Sequence, residues 1–501
     1  MNWRHSVKLS LNKSTSREKN FMDTMLLIDG KIMGSENGRT FDRLDPVTGA
    51  VASRSAAGGV ADAIRAVDAA AAAFGAWSAM GPNARRKILL AAADIMEANA
   101  GEFAALMTAE TGSTGPWGGF NAMLGARVLR EAASMTTQVS GEVIPSDKPG
   151  TLAMAVRQPA GVCVGIAPWN APVILGTRAV AMPLACGNTV VLKASELCPA
   201  THRLIGAVLM QAGVPDGVIN VVTNAPEDAA AVVHTLIEHP AVKRINFTGS
   251  TRVGKIIAEA AARVLKPVLL ELGGKAPLVV LDDADIDAAV DAAAFGAFMN
   301  QGQICMSTER IIVDAKIADV FVAKLAAKAN ALPAGDPRGA VVLGSLISRQ
   351  AADRIDELVG DAIAKGGKLV AGGTRDGAIM AATLVDHVTS SMRIYSEESF
   401  GPAKSIIRVN GVEEAIKVAN DTEYGLSSAV FGRDITRAMA VAWRIEAGIC
   451  HINGPTLNDE PQMPFGGMKG SGYGRFGGKA GIAEFTELRW ITIESEQHYP
   501  F

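Results

Sequence analysis

Residues 161–193 read GVCVGIAPWNAPVILGTRAVAMPLACGNTVVLK, and their reading decides the fold. Residues 162–167 form a short apolar run, Pro168-Trp169-Asn170 interrupts it, a longer apolar stretch follows, and residues 189–193 are apolar again. That is the pattern of strand, turn, helix, strand. From Gln158 to Thr177 no residue is charged, a length that could span a bilayer. Pro159, Pro168 and Pro172 would break a spanning helix, however, and Asn170 lies inside it. A buried strand, a turn and the start of a buried helix is the consistent reading.

Outward from this stretch the alternation continues. Strands are predicted at 218–222, 244–247 and 268–271, with helices at 200–212 and 227–239 between them. Strands alternating with helices imply a parallel sheet covered on both faces. A second α/β run extends from Pro277 to about Asn453 and carries helices at 285–298 and 315–331. Upstream, residues 26–57 alternate short apolar runs with Asp-Gly and Asn-Gly turns and read as β-hairpins. Helices rich in alanine follow at 60–79, 84–99, 101–111 and 117–139. The tail is rich in glycine over 465–481 and strand-like over 484–494.

Composition excludes several classes. A chain of 501 residues implies roughly three domains. A net charge of −3 lacks the basic excess of a nucleic-acid-binding face, and no membrane partner is expected. The five cysteines are odd in number and widely spaced, with no CxxC pair, which fits a reducing, cytoplasmic location. His234 and His239 have no third ligand near them and there is no HExxH motif, so no metal site is expected. Residues 1–21 hold Arg4, Lys8, Lys13, Arg17 and Lys19 against Glu18, with several serines. A transit peptide has such a composition. The apolar periodicity is poor, so the expectation is an unstructured leader, or a start at Met22.

Five stretches could carry chemistry. Cys305 lies in Asn300-Gln301-Gly302-Gln303-Ile304-Cys305-Met306-Ser307, after a helical run. At the start of a helix its pKa would fall and its thiolate would be available; a packed core cysteine is the alternative. Glu271 ends an apolar strand and is followed by Leu272-Gly273-Gly274-Lys275. Ligands of open α/β sheets bind at such strand ends. Desolvation there would raise its pKa towards that of a general base, unless a neighbouring Lys or Arg pairs with it. Asn170 also stands at a strand end, where its amide could stabilise an oxyanion or simply make a turn. Phe247-Thr248-Gly249-Ser250-Thr251-Arg252-Val253-Gly254 leads from a strand into a helix whose N–H groups could reach a phosphate. Its GSxxxG spacing is not the dinucleotide fingerprint. Lys193-Ala194-Ser195-Glu196 could bind the two ribose hydroxyls of an adenosine.

Together these stretches resemble the aldehyde dehydrogenase superfamily over residues 26–493. The resemblance also rests on Glu398-Ser399-Phe400-Gly401-Pro402 and Pro464-Phe465-Gly466-Gly467. One departure is Ala194, where the family usually has proline; a slight loop shift is expected. The resemblance implies an α/β fold of two parallel-sheet domains and a small β oligomerisation arm. The Rossmann-like NAD-binding domain would comprise 22–140 and 160–272, the catalytic domain 273–480, and the arm 141–159 and 481–501. An open strand edge in the arm would invite a homodimer or homotetramer.

It further implies that Cys305 attacks the aldehyde as thiolate and that the Asn170 amide and the Cys305 N–H hold the alkoxide. Hydride would pass to the nicotinamide, and Glu271 would activate the water that hydrolyses the thioester. Glu398 and Phe400 would hold the nicotinamide ribose and ring, Lys193 and Glu196 the adenine ribose, and Ser250 the pyrophosphate. Trp169 would lie near the same phosphates, with Ala167, Pro168, Ser195, Gly249, Val253 and Leu272 completing the cofactor set. The charge of Glu196 would repel a 2′-phosphate, so NAD is expected over NADP.

Within the superfamily the chain resembles bacterial enzymes acting on salicylaldehyde, benzaldehyde or vanillin, with salicylaldehyde the first choice and vanillin or benzaldehyde the alternative. The pocket would be lined by Trp117, Ile174, Leu175, Ile304, Met306 and Phe465, which suits a flat ring. Arg178 would either meet a ring hydroxyl or carboxylate, or turn away to pair with an acid outside the pocket. A succinic-semialdehyde-type enzyme needs more than one such contact. A CoA-acylating enzyme generally lacks the base at Glu271. A non-catalytic protein would have lost Cys305.

Overall fold

The computed structural model describes residues 22–495 together with Tyr499 and Phe501. The leader expected at 1–21 lies outside the described residues.

The stretch 161–193 forms the strand Val162–Ile166, the helix Pro172–Ala185 and the strand Thr189–Lys193. Every residue of that helix is buried, which is why the segment carries so little charge. Asn188 pins its far end: Oδ1 accepts from Gly161 N at 2.9 Å, and Nδ2 donates to Pro183 O at 3.1 Å and Phe485 O at 2.8 Å.

Val162–Ile166 sits within an eight-stranded sheet. Its order is Gly472–Tyr473, Val268–Glu271, Val242–Thr248, Val162–Ile166, Thr189–Lys193, Ile219–Val222, Leu26–Ile28, Lys31–Met33. The strands from Val268–Glu271 to Ile219–Val222 run parallel. From Val162–Ile166 the chain winds one way through the next two strands, then returns to add Val242–Thr248 on the other side. That reversal opens a crevice at the carboxyl ends of Val162–Ile166 and Val242–Thr248, the place where open α/β sheets take ligands. Alternate residues feed the two faces: Val190 and Leu192 join one apolar cluster and Val191 the other.

A seven-stranded sheet carries the second half, in the order Lys368–Ala371, Thr383–Asp386, Ala403–Val409, Thr308–Asp314, Ala276–Val280, Ser427–Phe431, Ile449–Ile452. Only its Lys368–Ala371 edge is antiparallel. The two sheets are not separated cleanly along the chain, because Gly472–Tyr473, from the second half, pairs with Val268–Glu271 of the first sheet.

A third, antiparallel sheet joins Glu142–Ile144, Leu152–Pro159 and Thr486–Ile493. Its outer strand leaves Trp490 and Leu488 exposed. Among the described residues no helix is long and apolar enough to cross a membrane.

Candidate active site

The helix Ile286–Phe298 stops short of Cys305. Asn300, Gln301 and Gly302 then take φ values of 49°, 55° and 69°. Two left-handed non-glycine residues in succession need outside support. Asn300 Nδ2 donates to Asn170 O at 3.0 Å, Gln301 Nε2 donates to Ser345 O at 3.0 Å, and Gly344 N donates to Gln301 Oε1 at 3.0 Å. Cys305 therefore lies in a turn ahead of the strand Thr308–Asp314, not at a helix start. A Cβ on Gly274 would sit 2.3 Å from the Cys305 carbonyl oxygen, so only glycine lets the Glu271 loop pass this close.

The expected lowering of the Cys305 pKa is reversed. Burial pushes the thiol well above its ordinary value, and the Glu271 and Glu398 carboxyls add to the shift. Glu271 is buried at the end of its strand, and neither carboxyl oxygen makes an aligned hydrogen bond. The Cys305 thiol is its near polar neighbour. Burial raises the Glu271 carboxyl to about 7, against smaller lowering effects from Cys305 and Arg178. No Lys or Arg forms an ion pair with it among the described residues.

Asn170 follows the strand Val162–Ile166. Its Nδ2 donates to Gln303 O at 3.0 Å, while its carbonyl accepts from Trp117 Nε1 at 3.2 Å. An amide nitrogen carries two hydrogens, so one is engaged by the Cys305 turn and the other is available to a bound molecule.

Two cavities meet at this point. The larger, about 810 Å³, is lined by all the expected pocket residues: Trp117, Ile174, Leu175, Arg178, Ile304, Met306 and Phe465. The smaller, about 210 Å³, is lined by Pro168, Trp169, Gly249, Ser250, Leu272, Glu398 and Phe400 of the expected cofactor set, and by Glu271. Asn170, Leu175 and Cys305 line both. Trp169 and Phe400 meet edge to face at 5.7 Å. Ser250 caps the helix Thr251–Arg263, accepting from Val253 N at 3.4 Å, so the helix's positive end opens beside this cavity.

Ala167, Val253, Lys193, Ser195 and Glu196 are not among the cavity-lining residues. Lys193 pairs in register with Ile166, which puts its loop at the adjoining strand end. Lys193 forms an ion pair with Glu196, whose Oε1 also accepts from Asn224 Nδ2 at 2.9 Å. Burial opposes ionisation of Glu196, but Lys193, a backbone N–H and Asn224 together outweigh it and hold the carboxyl below its usual range. Ser195 turns inward, its N–H donating to His202 Nδ1 at 3.0 Å. Ala194 N donates to Val222 O at 2.9 Å, a bond that proline could not make.

Arg178 follows neither alternative as framed. It pairs with an acid, but inside the pocket wall: both Asp459 oxygens accept from Nη2 at 2.7 Å, and both residues line the larger cavity. The guanidinium also lies 4.5 Å from the centre of the Phe465 ring. Asp459, Phe120, Leu124, Phe295 and Leu457 also line this cavity and carry no signal in the sequence.

The sequence profile of the aldehyde dehydrogenase family matches residues 32–491. The chain belongs to the aldehyde dehydrogenase family. It is 62% identical to a vanillin dehydrogenase of Pseudomonas fluorescens, covering 96% of this chain and 100% of that one. The crystal structure of a salicylaldehyde dehydrogenase from Pseudomonas putida G7, complexed with salicylaldehyde, matches with a TM-score of 0.94 at 53% identity, over 96% of this chain and 100% of that one. A betaine aldehyde dehydrogenase from Staphylococcus aureus, in complex with NAD+, matches with a TM-score of 0.91 at 32% identity, over 95% of this chain and 96% of that one. The α/β fold expected from the sequence is that of this aldehyde dehydrogenase family.

Proposed function

We propose that this aldehyde dehydrogenase oxidises a monocyclic aromatic aldehyde with NAD, through Cys305, and that vanillin ranks ahead of salicylaldehyde. The observation that carries the reading is the meeting of the two cavities at Cys305 and Asn170. The larger cavity has apolar and aromatic walls suited to a ring. The order of substrates revises the expectation from sequence, which put salicylaldehyde first: identity to the vanillin enzyme is 62%, against 53% to the salicylaldehyde enzyme. An anionic substrate such as succinic semialdehyde is disfavoured, because Asp459 neutralises Arg178, the cation that reading would use.

The residues around the smaller cavity suit a nicotinamide dinucleotide. A helix N-terminus attracts a diphosphate, the Lys193–Glu196 pair suits a ribose diol, and Trp169, Phe400 and Leu272 offer apolar surface to a flat ring. Glu196 is held ionised, so a 2′-phosphate beside it would be repelled. NAD, when bound, accepts the hydride.

The chain's own groups do the rest. Cys305 rests as a thiol, and Glu271 is the group that takes its proton. The thiolate then attacks the aldehyde carbon. The spare Asn170 N–H stabilises the alkoxide, and Asn170→Ala should lower kcat about 10²–10³-fold with a smaller effect on aldehyde KM. Once the thioester has formed and Glu271 has passed the thiol's proton on to solvent, the carboxylate deprotonates the hydrolytic water, so that two easier steps replace one.

NADH formation with vanillin, salicylaldehyde, benzaldehyde, propanal and succinic semialdehyde tests the substrate. The highest kcat/KM is expected for vanillin, and higher with NAD than with NADP. If propanal or succinic semialdehyde wins, the pocket reading is wrong. The open, apolar edge of the arm also points to a homo-oligomer. Light scattering that finds only monomer would contradict that.

A further inference from the structure

A buried charge cluster that this chemistry does not use centres on Glu309. Glu309, Lys275 and Lys404 are 2%, 1% and 0% exposed. Oε2 of Glu309 accepts from Lys275 Nζ at 2.7 Å and Ser399 N at 2.9 Å. Oε1 accepts from Ser399 Oγ at 2.7 Å and Lys404 Nζ at 2.6 Å. Burying three ions costs more than burying apolar side chains of the same volume. Stability alone does not account for the arrangement.

What the carboxylate ties together does. Glu309 stands four residues after Cys305. Lys275 closes the loop that begins at Glu271. Ser399 lies between Glu398 and Phe400, and Glu309 grips it by both its N–H and its hydroxyl. Glu398 in turn accepts from Gly274 N at 2.8 Å. Phe400 has a φ of 48°, a left-handed conformation that a bulky residue keeps only when its surroundings hold it there. Burial raises the Glu398 carboxyl to about 7, so Glu309 is the carboxylate that opposes the lysines at 275 and 404. Without Glu309, both buried ammonium groups would lose their carboxylate, and Ser399 would lose the acceptor of its N–H and its hydroxyl.

We propose that Glu309 is a positioning residue for the nicotinamide half of the cofactor, holding Glu398 and Phe400 towards the cavity beside Cys305 through Ser399. This rests on the reading of Glu398 and Phe400 as cofactor residues. Glu309 touches neither substrate nor cofactor; it acts through its neighbours.

The test uses the full-length enzyme and calorimetric titration with NAD+, alongside KM values for NAD+ and aldehyde and a thermal melt. Two variants keep the net charge of the cluster unchanged. Ser399→Ala removes the hydroxyl contact alone. The double variant Glu309→Gln with Lys404→Met removes one charge of each sign and leaves an amide oxygen to accept from Lys275. Both should raise the Kd for NAD+ about tenfold, the scale of losing a hydrogen bond to a charged group, and leave the aldehyde KM unchanged. An unchanged Kd in both folded variants would overturn the proposal. So would a fall in melting temperature with Kd and aldehyde KM shifting together, since that marks a merely structural role. A wild-type protein that gives no binding heat with NAD+ would instead overturn the cofactor reading beneath it.

Discussion

Replacing Cys305 with alanine should lower kcat/KM for every aldehyde by about 10⁴-fold or more. The size of the effect follows from the place of the sulfur. Cys305 lies where the two cavities join, and the four other cysteines are outside both lining sets. Cys163, Cys186 and Cys198 are buried away from both cavities, so none can reach a bound aldehyde as a nucleophile. Removing the Cys305 sulfur breaks no hydrogen bond that holds the turn, because Asn300, Gln301 and Gly302 fix it from upstream. The variant should therefore melt close to wild type and still bind NAD+ while forming no NADH. Residual turnover within about tenfold of wild type would remove the covalent route.

Replacing Glu271 with glutamine should lower kcat about 10²–10⁴-fold and alter its pH dependence. In the wild type the carboxyl titrates near 7, raised by burial. A base must be ionised to accept a proton, so turnover should rise with pH through about 7. The glutamine variant should lose that limb. With Glu271 proposed as base to both the thiol and the water, the variant should recover acylation at high pH, where hydroxide removes the thiol proton. Hydrolysis of the thioester should stay slow. An NADH burst of about one equivalent per site should therefore appear at alkaline pH, followed by slow turnover. An unchanged pH profile would assign the base elsewhere.

The parts of this picture that the sequence discloses are those set by local rules. Residues 189–193 and 268–271 read as strands with the bounds the structure has, because each is an apolar run closed by a charged residue. The strand read at 244–247 extends to Val242–Thr248, since the charged Lys243 and Arg244 interrupt its apolar start and a register shift accommodates them. Residues 227–239 split into a tight turn, Pro226–Asp228, and the helix Ala229–Glu238, a break that helical periodicity does not reveal.

At the site, strand-end position marks Glu271 and Asn170 as candidates, and it is the family resemblance that implies their roles. The Cys305 environment is not legible in the sequence because the helix before it ends in left-handed residues whose support comes from Asn170 and Ser345, far along the chain. Arg178 and Asp459 are 281 residues apart, and nothing near either announces the other. Glu309 resembles an ordinary strand residue until Lys275, Ser399 and Lys404 are brought around it by the fold.

The most direct test is to trap the acyl-enzyme. Glu271→Gln enzyme would be mixed with NAD+ and vanillin at alkaline pH, quenched early, and examined by intact mass and peptide mapping. The account predicts one acyl group per chain, carried on the peptide containing Cys305 and absent from the Cys305→Ala protein. No adduct, or an adduct on another cysteine, would contradict it.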